Sequence, residues 1–440
     1  MLMGYGLVDM FLLGRVGSFA VAASGAAGMY MWLGGGIMLV GRMGAEIGVA
    51  QSKGKRDNAE AIRYSHNSLF LAAVLAAVFT IACVFFAGPL IAFLNIQEEH
   101  VSTAARDYLA IVGLGIPAIF IASAISGIFT GAGNSRAPFA INAFGLVLNA
   151  VLDPIFIFTL GMGVRGAAVA TTLSQMLACF LSLYWLLAKK DRPLDGLRLL
   201  VKPCVRHIKQ ILRWTVPVSV ENILFTFFAM IVARQIAAFG ADAITVYRVG
   251  SQAESLCWLI CLGFSSGITA FVGQNFGAGR WTRIWQGFRI ALAMIFTWGV
   301  LVTVLFFTCG RWLTGLFVPE EHIIEMGGTY LRILAFCQVF FCLESIAGGA
   351  FRGMGRTTPP SIASVVSNAL RIPIVHVLTG TELGLSGVWW GIMLTATLRG
   401  LWVFVWFLLY ARNKPKHDAH TGDSIRTTAS SAVPSVRILP

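Results

Sequence analysis

Charged residues are scarce in this chain. Asp, Glu, Lys and Arg together make up 12% of its 440 residues, whereas an ordinary soluble domain carries about a quarter. Hydrophobic residues account for 57%, and the mean hydropathy is +0.76. Apolar stretches of roughly 20 residues, long enough to cross a bilayer as helices, recur from end to end. The composition excludes a water-soluble globular protein and predicts an all-α polytopic membrane protein.

The sequence also lacks the motifs of metal sites, enzymes and nucleic-acid binding. Its eight cysteines form no CxxC pair and its seven histidines have no metal-ligand spacing. We therefore expect buried small side chains rather than a disulfide framework or a metal site. No phosphate-binding GxxxxGK[ST] loop occurs, and we expect no cofactor. The net charge of +13 comes without a basic aromatic platform, which argues against a nucleic-acid partner.

The amino terminus has no basic residue before its apolar run, and Asp9 interrupts that run, so we expect no cleavable signal. The first apolar segment offers about 14 residues, or roughly 21 Å of helix at 1.5 Å per residue. A bilayer core is ~30 Å thick, so we expect the first of about twelve transmembrane helices to be truncated. The predicted spans are 1–14, 19–52, 58–95, 102–132, 134–160, 166–188, 208–238, 241–276, 284–318, 323–354, 357–379 and 384–411.

The loops between these spans carry unequal charge. Basic residues concentrate on one side of the predicted membrane, as in "KGKR" (53–56) and the run from Lys189 to Arg213. Loops on the other side are acidic, as in "QEEH" (97–100) and "PEEH" (319–322). Positive residues favour the cytoplasmic side. We therefore expect a multi-pass plasma-membrane protein, in the inner membrane of a Gram-negative cell, with both termini cytoplasmic.

The chain contains an internal repeat. "EEHVSTAARDYLAIV" (98–112) aligns with "EEHIIEMGGTYLRIL" (320–334), and "GAGNSRAPF" (131–139) aligns with "GMGRTTPPS" (353–361) at the same offset of 222 residues. Two parallel homologous halves that enclose a central cavity are a transporter architecture. The predicted division is an amino-terminal six-helix lobe at 1–188, a cytoplasmic linker at 189–207, a carboxy-terminal six-helix lobe at 208–412 and a disordered polar tail at 413–440.

A carboxylate in the fifth predicted span needs an explanation. Asp153 lies in "NAVLDPIF", where burying a charge in hydrocarbon costs several kcal/mol or more. Asn149 lies four residues earlier on the same helix face. Pro154 removes a backbone donor and frees a carbonyl near Ala150. In the repeat, Asp153 aligns with Ile372, so the packing of the repeat does not require an acid there.

Other polar side chains in the same half could join Asp153. Asp9 and Tyr5 lie in the first span, and Thr171 lies in the sixth. A buried acid can take up a proton at one face of the membrane and release it at the other. The oxygens of Asp9, Asn149 and Asp153 could equally hold Na⁺. Structural alternatives stay open: Asp153 could cap the helix break, and Asn149 or Thr171 could simply bond between helices.

The sequence resembles the multidrug and toxic compound extrusion (MATE) family over all but its tail. The resemblance lies in "VDMFLLGRVGSFAVAASG", "FTGAGNSRAPFAINAFGLVLNAVLDPIFIFTLGMGVRGAAVATTLSQ", "GQNFGAGR" and "FRGMGRTTPP". It implies a V-shaped, two-lobed, twelve-helix antiporter that expels organic compounds. It also implies a cation site formed by Asp9, Asn149, Asp153 and Thr171, with Tyr5 one turn before the first acid. The proline about which the first helix of the family is thought to bend is missing here.

Charged residues at membrane depth also occur in the carboxy-terminal half. Glu221, Glu344 and Arg371 are candidates for a second site, because the resemblance includes members with coupling carboxylates in the seventh, eighth or tenth helix. Glu254 lies in the eighth span and Arg234 in the seventh. Ion pairing that only stabilises the structure is an equal alternative for these residues.

These observations predict secondary-active export of organic, often cationic, drugs in exchange for H⁺ or Na⁺, by a transporter that we expect to be a monomer in the bilayer. The alternative within transport is a lipid-linked oligosaccharide flippase, which would carry more cationic residues in its cavity to hold pyrophosphate. An integral-membrane enzyme would need a nucleophile, a metal set or a phosphate cradle, and a channel would need a selectivity filter. The sequence shows neither, so we expect a protein that is not an enzyme.

Overall fold

The chain folds almost entirely into helices. None of the described residues forms a strand, so the predicted all-α fold is confirmed. The predicted tail at 413–440 and most of the predicted linker at 189–207 lie outside the described residues. The structure is a computed structural model, and it describes residues 2–96, 98–188, 193–194, 196–197 and 202–412.

Thirteen α-helices make up the described part of the chain. The sixth continues into a π-helical turn at Ile155–Thr159. Eleven of the helices are long and apolar enough to cross a membrane, and the two exceptions have 12 and 7 residues. In chain order the helices are α1 (Leu2–Leu13), α2 (Ser18–Gly54), α3 (Asn58–Phe85), α4 (Ala87–Phe93), α5 (Glu99–Gly131), α6 (Arg136–Pro154), α7 (Gly163–Leu187), α8 (Val205–Ala237), α9 (Ala241–Gly277), α10 (Trp281–Gly315), α11 (Glu321–Gly353), α12 (Thr358–Thr379) and α13 (Leu385–Arg412).

The third predicted span, 58–95, is interrupted in the structure. Helix α3 ends at Phe85 and α4 begins at Ala87. Pro89 has no N–H to donate to the carbonyl of Phe85, and proline is tolerated in the first turn of a new helix but not inside a continuous one. The other predicted spans differ from the observed helices only at their ends.

The helices pack in two groups. Helix α5 packs against α2, α3 and α7, whereas α11 packs against α9, α10 and α13. We call α1–α7 the amino-terminal lobe and α8–α13 the carboxy-terminal lobe. Helices α5 and α11 begin at the two "EEH" segments of the repeat. The repeat in the sequence therefore corresponds to helices with equivalent places in the two lobes.

The lobes meet where α2 and α9 pack together. Gln51 Nε2 donates to the carbonyl of Gly353 at 2.9 Å, and Gln274 Nε2 donates to the carbonyl of Gly131 at 2.9 Å. Each glutamine lies near the end of its helix and bonds to the other lobe, so the two hydrogen bonds are related by the repeat. We call this contact the closed end of the lobe interface. It lies beside the basic turn at 53–56, which the charge pattern predicts to be cytoplasmic.

Two glycines allow the backbones to approach closely at the closed end. A Cβ atom at Gly54 would lie 1.9 Å from the carbonyl oxygen of Gln274, and a Cβ atom at Gly277 would lie 2.0 Å from that of Gln51. Both contacts are with backbone atoms rather than with a side chain that can move aside. A larger residue at either position would therefore push α2 and α9 apart.

Candidate cation-coupling site

Pro154 ends the regular part of α6. Because proline has no N–H, the carbonyl of Ala150 loses its α-helical partner, and the chain continues as the π-helical turn Ile155–Thr159. Asn149 and Asp153 lie just before this break, and both are fully buried at 0% exposure. The break therefore places a backbone acceptor and two polar side chains inside the lobe, where neighbours or a bound ligand must satisfy them.

Asp9 on α1 is held by hydroxyl groups from two other helices. Tyr108 Oη on α5 donates to Asp9 Oδ2 at 2.7 Å. Thr171 Oγ1 on α7 donates toward Asp9 and lies 3.1 Å from each of its carboxylate oxygens. Only 3% of Asp9 is exposed. Three helices thus fix one carboxyl group inside the amino-terminal lobe.

Asn149 connects Asp9 and Thr171 to Asp153. Its Nδ2 donates to Asp153 Oδ1 at 2.9 Å and to Thr171 Oγ1 at 3.2 Å. The carboxyl groups of Asp9 and Asp153 adjoin each other. We call Asp9, Asn149, Asp153 and Thr171, together with Tyr108, the acidic cluster. The structure thus brings together the four residues that the sequence pattern had selected.

The acidic cluster contains two acceptor oxygens, Asn149 Oδ1 and Asp153 Oδ2, that have no hydrogen-bond partner within the part of the chain that the structure describes. Within that same part, neither Asp9 nor Asp153 forms a salt bridge with a lysine or an arginine. A buried carboxylate is normally paired with a cation or takes up a proton. Carboxylate and amide oxygens without a protein cation have the composition of a site for a small cation.

Tyr5 lies one turn before Asp9 but does not hydrogen-bond to the acidic cluster. Its side chain is 2% exposed, and its hydroxyl has no partner among the described residues. The hydroxyl packs against α6 at Gly145, where an added Cβ would lie 2.4 Å from it. Tyr5 therefore packs α1 against α6 beside the cluster and keeps an unused hydroxyl there.

A pocket of about 370 Å³ lies between α1 and α6 and is lined by Val8, Phe11, Leu12 and Ala150. Two of these residues are chain neighbours of the acidic cluster, because Val8 precedes Asp9 and Ala150 follows Asn149. The lining is apolar. Such a lining suits the hydrophobic part of an organic molecule better than it suits a bare ion.

The charged residues predicted in the carboxy-terminal lobe are paired differently. Glu344 Oε2 forms a salt bridge with Arg399 Nε at 2.7 Å, and 18% and 10% of the two side chains are exposed. Arg371 Nε donates to Thr395 Oγ1 at 2.9 Å. Glu221 lies beside serines of α12. Hydrogen bonds therefore do not join Glu221, Glu344 and Arg371 into one site.

Glu254 on α9 has neutral partners. Tyr330 Oη donates to Glu254 Oε2 at 3.2 Å, and Gln338 Nε2 donates to Glu254 Oε1 at 3.4 Å. Tyr330 is the repeat partner of Tyr108. Each lobe therefore uses the equivalent tyrosine of its α5 or α11 helix to hold a carboxyl group, buried for Asp9 and partly buried for Glu254.

Two polar residues at contacts between helices were not among the predicted site residues. Tyr108 belongs to the acidic cluster, and its alignment with Tyr330 was the available signal. Glu46 on α2 is 5% exposed and accepts a hydrogen bond from Ser266 Oγ of the other lobe at 2.8 Å. An acid inside the apolar second span was visible in "RMGAEIGVAQ".

Six of the eight cysteines are buried, as the sequence predicted. Three of them, Cys257, Cys261 and Cys342, meet inside the carboxy-terminal lobe. Their spacing along the chain gave no signal, because the third cysteine comes from a different helix.

Bundled membrane-spanning helices in two repeated lobes are the architecture of a membrane transporter. The MatE family model matches residues 1–155 and 217–377 of the chain. The chain belongs to this family, that of the MATE transporters, which is not an enzyme class. The predicted family is thereby confirmed.

Relatives and solved structures agree with this assignment. The chain is 29% identical to "Probable multidrug resistance protein NorM" of Thermotoga maritima, over 92% of this chain and 88% of the relative. It is 23% identical to "Multidrug export protein MepA" of Staphylococcus aureus, over 82% of this chain and 79% of the relative. A solved structure of a multidrug resistance MATE family transporter in an outward-facing conformation shares the fold, with a TM-score of 0.88, 24% identity and coverage of 94% of this chain and 95% of that chain.

Proposed function

We propose that this protein is a secondary-active antiporter that exports organic, often cationic, drugs and toxic compounds in exchange for H⁺ or Na⁺. The acidic cluster binds the coupling ion. One observation carries the proposal: Asp9 and Asp153 are buried together without a salt bridge to any described lysine or arginine, and two acceptor oxygens beside them have no partner. Buried acids in membranes are costly and are retained mainly where they serve transport.

The residues of the acidic cluster have different roles in binding the ion. Asn149 uses its amide N–H for Asp153 and Thr171, so its Oδ1 stays available as an acceptor. Tyr108 and Thr171 hold Asp9 in a fixed orientation. A proton would lie on one of the adjoining carboxyl groups, whereas Na⁺ would use Asp9, Asp153 and the amide oxygen of Asn149. Both ions suit the same oxygens.

The position of the cluster links ion binding to lobe movement. Asp9, Asp153 and Thr171 come from α1, α6 and α7. A cation bound among them neutralises the repulsion between the two carboxylates, which would otherwise push their helices apart. An ion that binds one arrangement of these helices better than another shifts the equilibrium between the arrangements by its differential affinity. Drug and ion binding to opposite arrangements would then couple their fluxes.

The closed end supports an outward-facing arrangement. The positive-inside rule places the basic turn at 53–56 in the cytoplasm, and the lobes are held together beside it by Gln51 and Gln274. The same rule places both termini in the cytoplasm of a plasma-membrane protein. We propose a monomer as the transporting unit, because each chain contains both repeated halves.

The relatives and the site both support the proposed substrate class. The Thermotoga maritima and Staphylococcus aureus proteins are named for multidrug resistance and multidrug export. The amino-terminal lobe combines the acidic cluster with the adjoining apolar pocket, which favours amphipathic organic cations. The lipid-linked flippase stays the alternative, and the pairing of Arg399 with Glu344 leaves that arginine unavailable to hold pyrophosphate.

The test measures ethidium export from proteoliposomes under an imposed pH gradient and, separately, under an imposed Na⁺ gradient. We expect one of the two gradients to drive export by the parent chain and Asp153→Asn to abolish the gradient-driven part. Asp107→Asn is the matched control, since Asp107 lies on α5 outside the cluster, where Arg165 pairs with it at 2.5 Å. Gradient-driven export by Asp153→Asn at the parent rate would refute the mechanism, and ethidium flux independent of either gradient would refute antiport.

A further inference from the structure

The three buried cysteines of the carboxy-terminal lobe form a cluster that the transport mechanism does not use. Cys257 and Cys261 lie one helical turn apart on α9, and Cys342 faces them from α11. Their Sγ atoms all lie within 4.8 Å of one another, and Cys261 Sγ and Cys342 Sγ are 3.5 Å apart. The three residues are 1%, 1% and 0% exposed. We call them the thiol cluster.

The spacing of the sulfur atoms is compatible with a bound metal ion. Thiolate ligands bind at about 2.3 Å, so three sulfurs around one ion lie about 4 Å apart. The distances in the thiol cluster bracket that value, with one pair at 3.5 Å and every pair within 4.8 Å. Small rotations about the Cα–Cβ bonds would therefore bring all three sulfurs into a first coordination shell.

The groups around the thiol cluster would also suit a bound metal ion. The indole of Trp298 on α10 lies beside Cys257, and its Nε1–H has no hydrogen-bond partner among the described residues. A buried indole N–H usually has an acceptor, and a metal-bound thiolate is a better acceptor than a neutral thiol. Gly299 of the same helix leaves room for Cys342, since an added Cβ would lie 3.0 Å from Cys342 Sγ. Ser345 Oγ also donates to the carbonyl of Cys261 at 2.7 Å, which fixes α11 against α9.

We propose that the thiol cluster binds a soft, thiophilic metal ion, the cuprous ion Cu⁺, and thereby links α9 to α11. Thiolate ligands favour Cu⁺, Zn²⁺ and iron–sulfur clusters among the biological metal sites. Zn²⁺ in a structural site takes four ligands, whereas the group found within the described residues offers three. In binding, a Cu–S bond forms as an S–H bond of one cysteine breaks. That proton leaves the site, and the other two sulfurs complete the coordination. The net charge of the buried site then stays unchanged, which limits the desolvation cost.

The thiol cluster is separate from the acidic cluster, so this proposal does not depend on the coupling mechanism. The acidic cluster lies among α1, α5, α6 and α7, whereas the thiol cluster lies among α9, α10 and α11. Failure of one proposal therefore leaves the other untouched, and each has its own readout.

The test is competition for Cu⁺ between the purified full-length chain in detergent and a chromophoric Cu⁺ chelator under anaerobic conditions. We expect the parent to withdraw one Cu⁺ per chain and the Cys261→Ala/Cys342→Ala variant to withdraw none. Cys337→Ala is the matched control, because Cys337 is a buried cysteine of α11 whose Sγ bonds to the carbonyl of Leu334 and does not belong to the cluster. It should bind Cu⁺ like the parent. X-ray absorption of the loaded parent should show three sulfur ligands at about 2.3 Å.

Several results would overturn the proposal. These are no transfer of Cu⁺ to the parent, equal transfer to the parent and the double variant, loss of transfer in Cys337→Ala, or a Cys261–Cys342 disulfide in anaerobically isolated protein. If the double variant does not fold, Cys257→Ser replaces it, because the hydroxyl nearly preserves the volume but removes one of the three sulfur ligands. A monodisperse Cys257→Ser protein that still takes up Cu⁺ with the affinity of the parent would equally refute the site.

Discussion

The two lobes are built on the same repeat but treat buried charge in opposite ways. In the amino-terminal lobe, Asp9 and Asp153 share neutral donors, and no described lysine or arginine forms a salt bridge with them. In the carboxy-terminal lobe, Glu344 is paired with Arg399, and Arg371 donates to Thr395. The amino-terminal lobe therefore holds two adjoining acids without a protein cation among the described residues, whereas the carboxy-terminal lobe pairs Glu344 with an arginine and holds Glu254 with neutral donors.

The repeat-related tyrosines make the contrast sharper. Tyr108 donates to Asp9 and Tyr330 donates to Glu254, so the repeat keeps a hydroxyl at an equivalent place and each lobe brings a different acid to it. At the Asp153 position the carboxy-terminal lobe has Ile372, and the preceding residue is Arg371. The same scaffold therefore accommodates an acid in one lobe and an apolar residue beside an arginine in the other.

The largest expected effect comes from removing the negative charge of the amino-terminal lobe. Asp9→Asn and Asp153→Asn should each lower gradient-driven ethidium export at least about tenfold, a factor within the usual range of coupling between linked sites. The double variant should lose no more than either single variant, because two residues that bind one ion act as a unit. Initial export rates in proteoliposomes measure both effects. Multiplicative losses in the double variant would mean that the two acids act independently.

The next effect concerns the closed end, where the two lobes meet symmetrically. Gly54→Ala should hold α2 and α9 apart, because its Cβ would lie 1.9 Å from a backbone oxygen, and should shift the transporter away from the arrangement described here. Spin-label distances across the closed end should lengthen. Gly263→Ala on α9 is the control, since no atom lies within 4 Å of a Cβ there. Equal distance distributions in both variants would show that the close contact does not control the closure.

A smaller effect is expected on stability from the paired charges of the carboxy-terminal lobe. Glu344→Gln leaves Arg399 without its anion, and breaking a buried pair in this way typically costs about 3 kcal/mol. The melting temperature in detergent should fall, while the ratio of gradient-driven export to ethidium binding stays that of the parent. Restoring part of the lost stability with Arg399→Leu in the same chain would confirm the pairing. A change in that ratio without loss of stability would instead indicate a coupling role for Glu344.

The smallest effect separates the two tyrosines. Tyr108→Phe removes a 2.7 Å hydrogen bond to Asp9, and the loss of a hydrogen bond to a charged group costs about 1.5–3 kcal/mol. The concentration of the driving ion that gives half-maximal export should therefore change in Tyr108→Phe. Tyr330→Phe removes the equivalent bond to Glu254, which is 3.2 Å long, and should leave that concentration near the parent value. If this concentration changes in Tyr330→Phe but not in Tyr108→Phe, the coupling ion binds in the carboxy-terminal lobe instead.

Much of the fold was predictable because the composition, the apolar spans and the "EEH" repeat are properties of the chain itself. The four predicted site residues also meet in the structure, since i and i+4 spacing puts Asn149 and Asp153 on one helix face. Their roles as cation ligands stay a prediction. The break at Phe85 was missed because Pro89 lies within an otherwise uninterrupted apolar stretch.

Other features depended on contacts between distant segments. The thiol cluster could not be read from the sequence, because Cys261 and Cys342 are far apart along the chain. Glu344 and Arg399 also come from different helices and are 55 residues apart. Neither contact leaves a local pattern in the sequence. The repeat could have revealed Tyr108, because its counterpart Tyr330 stands at the same offset, but the repeat alone does not say which acid each hydroxyl contacts.

The central claim is that coupling resides in the amino-terminal lobe and not in the carboxy-terminal one. The most direct test compares Asp153→Asn with Glu254→Gln, each of which removes one acid held by neutral donors, for gradient-driven ethidium export at equal amounts of reconstituted protein. The account predicts that Asp153→Asn loses gradient-driven export but still binds ethidium, and that Glu254→Gln exports at close to the parent rate. Export that survives in Asp153→Asn and disappears in Glu254→Gln would contradict it.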